Sequence, residues 1–387
     1  MLTEKAEINM SKILFVTNTA NKIGSFSIAS IKAAQSAGME FHMAASWNLT
    51  RDELDKLQNE FNVKLHHIDL DRSPYSPRNR EAYKQLVRII REEKIDYIHC
   101  NTPTGGILGR LAGKKCKVKK VIYQAHGFHF YKGASKKNWL IYYPVEKWLA
   151  KYTDTLITIN REDFEFAKSK LRLRNGGKTY YVPGVGIDLS GYLQSETLRG
   201  DKRAELGVRD DSFVIISAGE LNENKNNRVI ISAIDRLKRN DIYYFLCGVG
   251  DQEEALRKQA EEAGLSDNVR FLGYRNDIKE LYGMSDCFVM PSFREGLSRS
   301  IMEAMASGLP CIVSRIRGNV DLIEEGKGGY LCDVNDVEGY AEKLNILADD
   351  AALRRSMSEY NLINIRKFST EVVTEEILGI YKSELGE

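Results

Sequence analysis

Short β-branched runs alternate with charged, amphipathic stretches along almost the whole chain, and this alternation restricts the possible folds more than any other feature. The strands predicted in the first half are Ile13–Thr17, Glu40–Ala45, Val63–Ile68, Tyr97–Cys100, Val121–Ala125, Thr155–Ile159 and Thr179–Val182. The helices predicted between them include Ser27–Ala37, Thr50–Glu60, Arg80–Lys94 and Arg161–Lys170. This order is typical of βαβ units, in which helices cover both faces of a parallel sheet.

The alternation stops and then restarts, which predicts two domains. A turn cluster, Val182-Pro-Gly-Val-Gly-Ile-Asp188, ends the first series, and a polar linker follows near residues 186–210. The strands predicted for the second series are Phe213–Ala218, Tyr243–Cys247, Val269–Leu272, Cys287–Val289, Cys311–Val313 and Tyr330–Cys332. We therefore expect an α/β protein with two Rossmann-like, doubly wound domains facing a cleft. Ligands of such sheets bind at the carboxyl ends of the strands.

The expected domain bounds are 10–188 and 189–362. The last segment, Tyr360–Leu385, is predicted to be helical, and residues 363–387 are expected to cross back to the first domain. Residues before Met10 precede the first strand signal and are interpreted as an extension. A length of 387 residues suits two domains of ordinary size.

Composition excludes several classes of protein. With 43% hydrophobic and 28% charged residues the chain does not resemble a disordered protein, and a net charge of +2 does not indicate a nucleic-acid binder. The six cysteines are scattered without a C-x-x-C pair, which favours a reducing compartment. Neither a signal peptide nor an apolar run of roughly 20 residues is found. We expect a cytoplasmic protein that is at most peripheral to the inner face of the cell membrane.

The segment from Pro291 to Val313 combines two carboxylates with a helix start. Glu295 is predicted to lie just before a helix and Glu303 two turns inside it, a spacing that keeps both on one face. The amides of Gly296-Leu297-Ser298 lie at the predicted helix start, where unpaired N–H groups favour an anionic ligand. Taken singly, Glu295 could equally be a capping carboxylate and Glu303 a solvated helix residue.

This segment resembles the E-x7-E signature of the retaining family 4 glycosyltransferases of the GT-B fold, and the match extends over nearly the whole chain from Met10. Further landmarks in the family's order are Thr17–Gly24, His126-Gly127, the Val182–Asp188 turn, Ala218–Lys225, Cys247-Gly-Val-Gly250 and Phe271–Ile278. The members that this chain resembles most are bacterial enzymes of capsule and exopolysaccharide assembly.

The resemblance implies a role for each matching residue. Glu303 would hold the donor ribose, Glu295 the transferred sugar and Lys225 the diphosphate, and His126 would lie beside the reacting sugar. The implied catalytic residues are therefore His126, Lys225 and Glu295. The donor would also contact Gly24, Gly219, Gly248, Tyr274, Arg275, Gly296, Leu297, Ser298 and Glu303. Departure of a nucleotide diphosphate leaves growing negative charge, which Lys225 and helix-end amides can stabilise without proton transfer.

One position departs from the family pattern. Many members carry an arginine directly after the glycine that follows the first strand of the second domain, and this chain has Glu220 there. A carboxylate cannot neutralise a diphosphate, so one expected cation is missing. Arg299, or with less support Arg294, is the hypothetical replacement.

Three further patterns have ordinary interpretations. Asp69-Leu-Asp71 matches a short metal-binding pattern that often recurs by chance. Lys225 and the predicted helix start already supply the positive charge that a metal ion would bring to the diphosphate, so no metal is expected. Adjacent strand residues such as His66 and His67 point to opposite faces and cannot easily share one ion. His129 follows the same strand as His126 and is more simply a structural residue.

The segment Arg110–Lys151 carries eleven Lys or Arg residues against a single acid, with aromatic residues interleaved. A solvated basic face over an aromatic core would explain this composition. So would a patch that holds the first domain on an anionic membrane, which would suit a polyprenyl-diphosphate-linked acceptor. Nucleic acid would fit the charge, but no nucleic-acid motif accompanies it.

The sequence favours a retaining glycosyltransferase that moves a hexosyl or N-acetylhexosaminyl group from a nucleotide diphosphate, most simply UDP, to a glycan or lipid-linked acceptor. The second domain would hold the donor and the first the acceptor. A sugar-nucleotide epimerase or hydrolase on the same fold, or a non-catalytic nucleotide-sugar sensor, remain the alternatives.

Overall fold

The computed structural model describes residues 10–193 and 196–386, which form two compact units. The first unit runs to Gly186 and resumes at Thr370, and the second spans Ile187–Ser369. The extension expected before Met10 lies outside the described residues. No helix within the described ranges is both long and apolar enough to cross a membrane.

The first unit is built on a parallel sheet of seven strands. They are β1 (Lys12–Ala20), β2 (Glu40–Trp47), β3 (Lys64–His67), β4 (Tyr97–Asn101), β5 (Lys120–Ala125), β6 (Thr155–Thr158) and β7 (Lys178–Tyr181). The spatial order is β3-β2-β1-β4-β5-β6-β7, so the order reverses between β1 and β4. Ligands of open α/β sheets bind at the carboxyl ends of the strands at such a reversal.

Helices cover both faces of this sheet. They are α1 (Ser25–Ser36), α2 (Arg51–Phe61), α3 (Arg78–Glu92), α4 (Pro103–Cys116), α5 (Lys136–Leu149) and α6 (Arg161–Lys170). Strand β1 shows why the strands are almost continuously apolar. Ile13 and Phe15 enter one core, while Leu14 and Val16 enter the core on the opposite face.

The second unit repeats this plan with a six-stranded parallel sheet. Its strands are β8 (Phe213–Ala218), β9 (Ile242–Cys247), β10 (Val269–Gly273), β11 (Cys287–Met290), β12 (Cys311–Ser314) and β13 (Gly329–Cys332). Its helices are α7 (Glu196–Glu205), α8 (Arg228–Leu237), α9 (Glu253–Glu262), α10 (Ile278–Met284), α11 (Arg299–Ala306), α12 (Asn319–Leu322), α13 (Val337–Asp349) and α14 (Ala351–Asn364). The order β10-β9-β8-β11-β12-β13 reverses between β8 and β11. The expected α/β architecture of two Rossmann-like domains is confirmed.

The carboxyl-terminal segment differs from the single helix predicted over Tyr360–Leu385. Helix α14 ends at Asn364, a short 3-10 turn covers Ile365–Phe368, and the last helix, α15 (Thr370–Leu385), begins after it. Ile365 and Phe368 are buried in the core of the second unit, whereas Val373 and Tyr381 of α15 are buried in the first. The chain therefore changes units at Ser369, seven residues after the expected bound at 362, because the two apolar residues of the turn belong to the second core.

Candidate active site

Lys225 and Glu295 meet at the carboxyl ends of β8 and β11, where the strand order of the second unit reverses. The Lys225 Nζ lies 2.8 Å from the Glu295 Oε1, and the two side chains are only 20% and 15% exposed. Lys225 ends a short 3-10 turn after β8, whose start is capped by Asn222. The sequence placed both residues in the site but did not anticipate that they pair with each other.

The loop that carries Glu295 is held by its neighbours on both sides. The Phe293 N–H donates to the Asn224 carbonyl (2.8 Å), and the Arg317 Nε donates to the carbonyl of Glu295 (3.2 Å). A Cβ at Gly318 would lie 2.3 Å from the Gly296 carbonyl oxygen, and Gly318 has a φ of 81°. Glycine is therefore required there so that the two loops can approach closely. The Glu295 backbone is thus positioned independently of its side-chain ion pair.

Glu303 lies nearer to the helix start than the sequence suggested. Helix α11 begins at Arg299, with Ser298 as its N-cap, so Glu303 is the fifth helical residue and lies about one turn inside. Gly296 and Leu297 precede the helix in the loop. The expectation of a helix starting near Glu295 was wrong, because the loop between β11 and the Ser298 cap takes up these residues.

Glu303 is surrounded by donors and is 15% exposed, so it is not a solvated helix residue. The Arg299 Nε donates to its Oε1 (2.8 Å), and the Tyr282 hydroxyl lies 3.4 Å from its Oε2. The Tyr192 hydroxyl also hydrogen-bonds this carboxylate; burial, and then the Glu303 charge, raise the pKa of Tyr192. Neither tyrosine was singled out from sequence, because Tyr192 lies in a loop far from α11 in the chain, Tyr282 lies 21 residues from Glu303, and neither lies in a motif.

An open pocket of about 590 Å³ lies at the ends of β8, β9 and β10. Gly219, Glu220, Gly248, Tyr274 and Arg275 are among its lining residues. A Cβ at Gly248 would lie 1.9 Å from the Gly219 carbonyl oxygen, so the two strand-end turns can approach this closely only with glycine at position 248. The pocket thus brings together four of the residues that the resemblance assigned to the nucleotide.

Arg275 and Glu220, the charged residues in the lining of this pocket, both have hydrogen-bond partners within the protein. The Arg275 Nε and Nη2 donate to the two carboxylate oxygens of Asp277 at 2.7 Å and 2.6 Å. Glu220 accepts from the Asn222 side chain, and Arg294 is exposed. Arg299, the hypothetical replacement for the missing arginine, has its guanidinium on Glu303.

His126 follows β5 in the first unit, and burial lowers its pKa to about 4. Its Nε2 lies 2.9 Å from the Asn101 Oδ1, while the exposed Phe26 ring is centred 5.1 Å from the imidazole. Within the described residues, the His126 Nδ1 has no hydrogen-bond partner. If Nε2 carries the proton donated to Asn101, then Nδ1 is a free acceptor in a neutral ring.

Gly24 and His129 lie near this strand end with different surroundings. Gly24 is the extended N-cap of α1, and a Cβ there would meet nothing within 4 Å, so packing in the protein does not require glycine. The His129 ring is tilted against Tyr142 with centroids 4.6 Å apart. Asn101 is the residue of this cluster that the sequence did not indicate.

The lowered pKa of His126 predicts a pH-dependent stability. Between about pH 6.5 and pH 4 the unfolded chain binds a proton here that the folded protein does not, so the free energy of unfolding decreases as the pH falls. His126→Gln should reduce that slope by up to about 1.4 kcal/mol per pH unit. Urea unfolding of the wild type and the variant at several pH values measures how the free energy of unfolding changes with pH. Contributions from His42 and His66, whose pKa values are also lowered, cancel in the difference; parallel curves would contradict the prediction.

The short Asp and His patterns of the first unit form contacts with nearby residues. Asp69 accepts from Gln85 (2.7 Å) and Arg78 (3.3 Å), and Asp71 accepts from the Ser73 N–H. His66 stacks on His42, and the His67 Nε2 lies 3.8 Å from Asp69. Within the described ranges no group of three or more His, Cys, Asp or Glu residues could hold a metal ion.

Two family models match the sequence. The model described as "Glycosyl transferases group 1" matches residues 199–362, and "Glycosyl transferase 4-like" matches residues 12–160. The putative glycosyltransferase EpsD of Bacillus subtilis is 35% identical over 377 residues, which cover 96% of each chain. The UDP-Gal:alpha-D-GlcNAc-diphosphoundecaprenol alpha-1,3-galactosyltransferase of Escherichia coli is 32% identical over 69% of this chain and 70% of its own.

Solved structures share the fold. Anabaena Alr3699/HepE in complex with UDP matches with a TM-score of 0.78 at 20% identity, covering 97% of this chain and 100% of that one. The same protein in complex with UDP-glucose also matches with a TM-score of 0.78, at 21% identity over 96% of this chain and 99% of that one.

Proposed function

This chain belongs to the family 4 glycosyltransferases of the GT-B fold, and we propose that it transfers a sugar from a UDP-sugar, with retention of anomeric configuration, during surface polysaccharide synthesis. The observation that carries this is the Lys225–Glu295 pair of 2.8 Å at the strand-order reversal of the second unit. Two findings support UDP over GDP as the donor nucleotide. One relative is named as a galactosyltransferase with UDP-Gal as its donor, and the structural neighbour was solved in complex with UDP. The transferred group is proposed to be a hexose or N-acetylhexosamine.

In the proposed reaction the bond between the anomeric carbon and the UDP phosphate oxygen breaks while a bond to the acceptor oxygen forms on the same face. The acceptor proton passes to the departing phosphate oxygen. Lys225 and the amides of Gly296–Ser298 stabilise the charge that grows on UDP, and Glu295 holds the sugar. His126, which is neutral above about pH 5, would lie beside the reacting sugar.

We propose that no metal ion is needed, since Lys225 and the α11 start supply positive charge where a divalent cation would otherwise bind the diphosphate. Activity that persists after dialysis against a strong chelator supports this. Activity lost on dialysis and restored by Mg²⁺ or Mn²⁺ contradicts it.

The experiment that tests the function begins with calorimetry of UDP, GDP and ADP, followed by product analysis with the sugar of the nucleotide that binds. We expect UDP to bind best, and NMR of the product to show the donor's anomeric configuration. Inversion would overturn the retaining mechanism. Consumption of the donor without an acceptor would favour the epimerase or hydrolase. Binding without turnover, even with membrane lipid extract added as the acceptor source, would favour the sensor.

Arg299 is proposed to supply the diphosphate cation that Glu220 does not. Its guanidinium lies beside the donor residue Glu303 and is about half exposed, so it can turn without leaving a buried site. Arg299→Ala should weaken UDP binding by about tenfold, the usual loss for one charge-assisted hydrogen bond. Arg294→Ala is the matched control and should bind as the wild type does. Equal UDP affinity in Arg299→Ala and wild type would refute the hypothesis.

The acceptor is proposed to be a glycan or a polyprenyl-diphosphate-linked saccharide, held by the first unit at the inner face of the membrane. The structure adds a reason for such attachment. Glu146, the single acid of Arg110–Lys151, is buried and paired with the buried Arg110, so the charges that this segment exposes are all positive. Sedimentation with vesicles should show binding that requires phosphatidylglycerol and weakens with salt. Binding that ignores vesicle charge would contradict attachment through these lysines.

A further inference from the structure

A recess of about 380 Å³ lies beside His126 at the carboxyl edge of the first sheet. Its lining is mainly aromatic and aliphatic and includes Ile107 of α4, Phe128, and Tyr142 and Val145 of α5. His126 lines this recess, but the roles proposed above use none of its apolar lining. A concave apolar site with a few polar groups at one end is the usual form of a ligand site.

Helix α5 faces solvent with apolar side chains. Leu140 is 77% exposed, and Ile141, Tyr142, Val145 and Trp148 are each 38–46% exposed. Several exposed apolar side chains on one helix are typical of a surface that contacts a membrane or a partner. Tyr142 and Val145 belong both to this outer face and to the recess lining, so the recess opens directly beside the patch.

Lysines border the apolar face of α5. Lys136 and Lys137 lie at its start, and Lys147 lies within its last turn. Beyond its end, the Lys114 ammonium lies 3.9 Å from the centre of the Tyr152 ring, which itself packs edge-on against Trp148. Apolar residues rimmed by lysine match the chemistry of an anionic lipid surface, with acyl chains inside and phosphates outside.

The recess lining also contains polar residues. Among them are His126 and Thr102, the N-cap of the 14-residue helix α4, which begins at Pro103. Thr102 has a φ of 63°, a strained conformation for a β-branched residue. Behind it, Asn101 is 2% exposed, and among the described residues its Nδ2 has no hydrogen-bond partner. The recess lining therefore joins apolar side chains to a few polar groups near the start of α4.

We infer that this recess binds the first isoprene units of a polyprenyl-diphosphate-linked acceptor, whose chain enters from the bilayer over the outer face of α5. This inference rests on the proposed transfer to a lipid-linked acceptor. It adds that the protein binds the polyprenyl chain of that acceptor as well as its saccharide. A saccharide would also fit an aromatic recess. It would not account for the continuity of the lining with an exposed, lysine-rimmed apolar helix face.

The test uses farnesyl diphosphate, below its micellar concentration, and inorganic diphosphate as probes. Calorimetry is done with saturating UDP present, so that the donor site is occupied. Burial of two CH₂ groups already yields about a tenfold gain in affinity, so farnesyl diphosphate should bind at least about tenfold more tightly than inorganic diphosphate. Equal binding of the two probes, or farnesyl diphosphate that is displaced by UDP, would overturn the inference.

Variants separate the recess from the outer face of α5. Ile107→Trp fills the recess and should abolish the preference for the farnesyl chain, and the smaller change Ile107→Phe serves if the first variant has a lowered thermal midpoint. Leu140→Asn changes the outer face alone and should keep the preference in solution. A recess variant that folds and retains the full preference would disprove the inference. UDP titrated into the same samples tests the donor site, so its failure to bind would reject the proposed function instead.

Discussion

Lys225→Ala should lower kcat by about a thousandfold, the largest effect that we expect from a single substitution in this protein. Removing one positioned group that stabilises developing charge typically costs a hundred- to a thousandfold. Lys225 is the cation paired with Glu295 at the strand-order reversal, and its loss also leaves that carboxylate, which is only 15% exposed, without its partner. Because the leaving group gains charge in the transition state, kcat should fall far more than KM rises.

Lys238→Ala is the matched control for this experiment. Lys238 also lies in the second unit, but its side chain is 74% exposed and its ion pair with Asp235 is local. That variant should keep wild-type rates, because exposed ion pairs contribute little. A Lys225→Ala enzyme within tenfold of the wild-type kcat, with an unchanged unfolding midpoint, would remove Lys225 from the reaction.

Glu303→Ala should weaken UDP binding by about a hundredfold. Hydrogen bonds to a charged group contribute about 1.5–3 kcal/mol each, and one carboxylate can accept from both ribose hydroxyls, so loss of both exceeds one factor of ten. Arg299, Tyr282 and Tyr192 already orient this carboxylate in the ligand-free protein. Calorimetry with UDP measures the loss.

A comparison with 2′-deoxy-UDP distinguishes lost ribose contacts from general damage to the site. The wild type should bind UDP about tenfold more tightly than 2′-deoxy-UDP, since one charged hydrogen bond is missing. Glu303→Ala should bind the two alike. If the variant still discriminates between them, then another residue reads the 2′-hydroxyl, and the role proposed for Glu303 is wrong.

Local pattern was sufficient for most elements of the fold. The bounds predicted for β8 and for α6 coincide with the structure, because each is a run of uniform pattern between clear end signals, such as the Asn160 N-cap of α6. The segment after Tyr360 has a helical pattern throughout, and its break could not be read locally. It depends on the burial of Ile365 and Phe368 in one core and of the following helix in another.

In the second unit, the sequence by itself determined which residues are available to the candidate site: the Pro291–Val313 segment, Lys225 and the strand-end glycines. Only the tertiary structure decided which of them meet. Lys225 and Glu295 are 70 residues apart and form a pair because β8 lies next to β11 in the sheet. Tyr282 contacts Glu303, and Asn101 contacts His126, for similar reasons. Strand order follows from how whole helices pack on both faces of a sheet, and no short stretch of sequence carries that information.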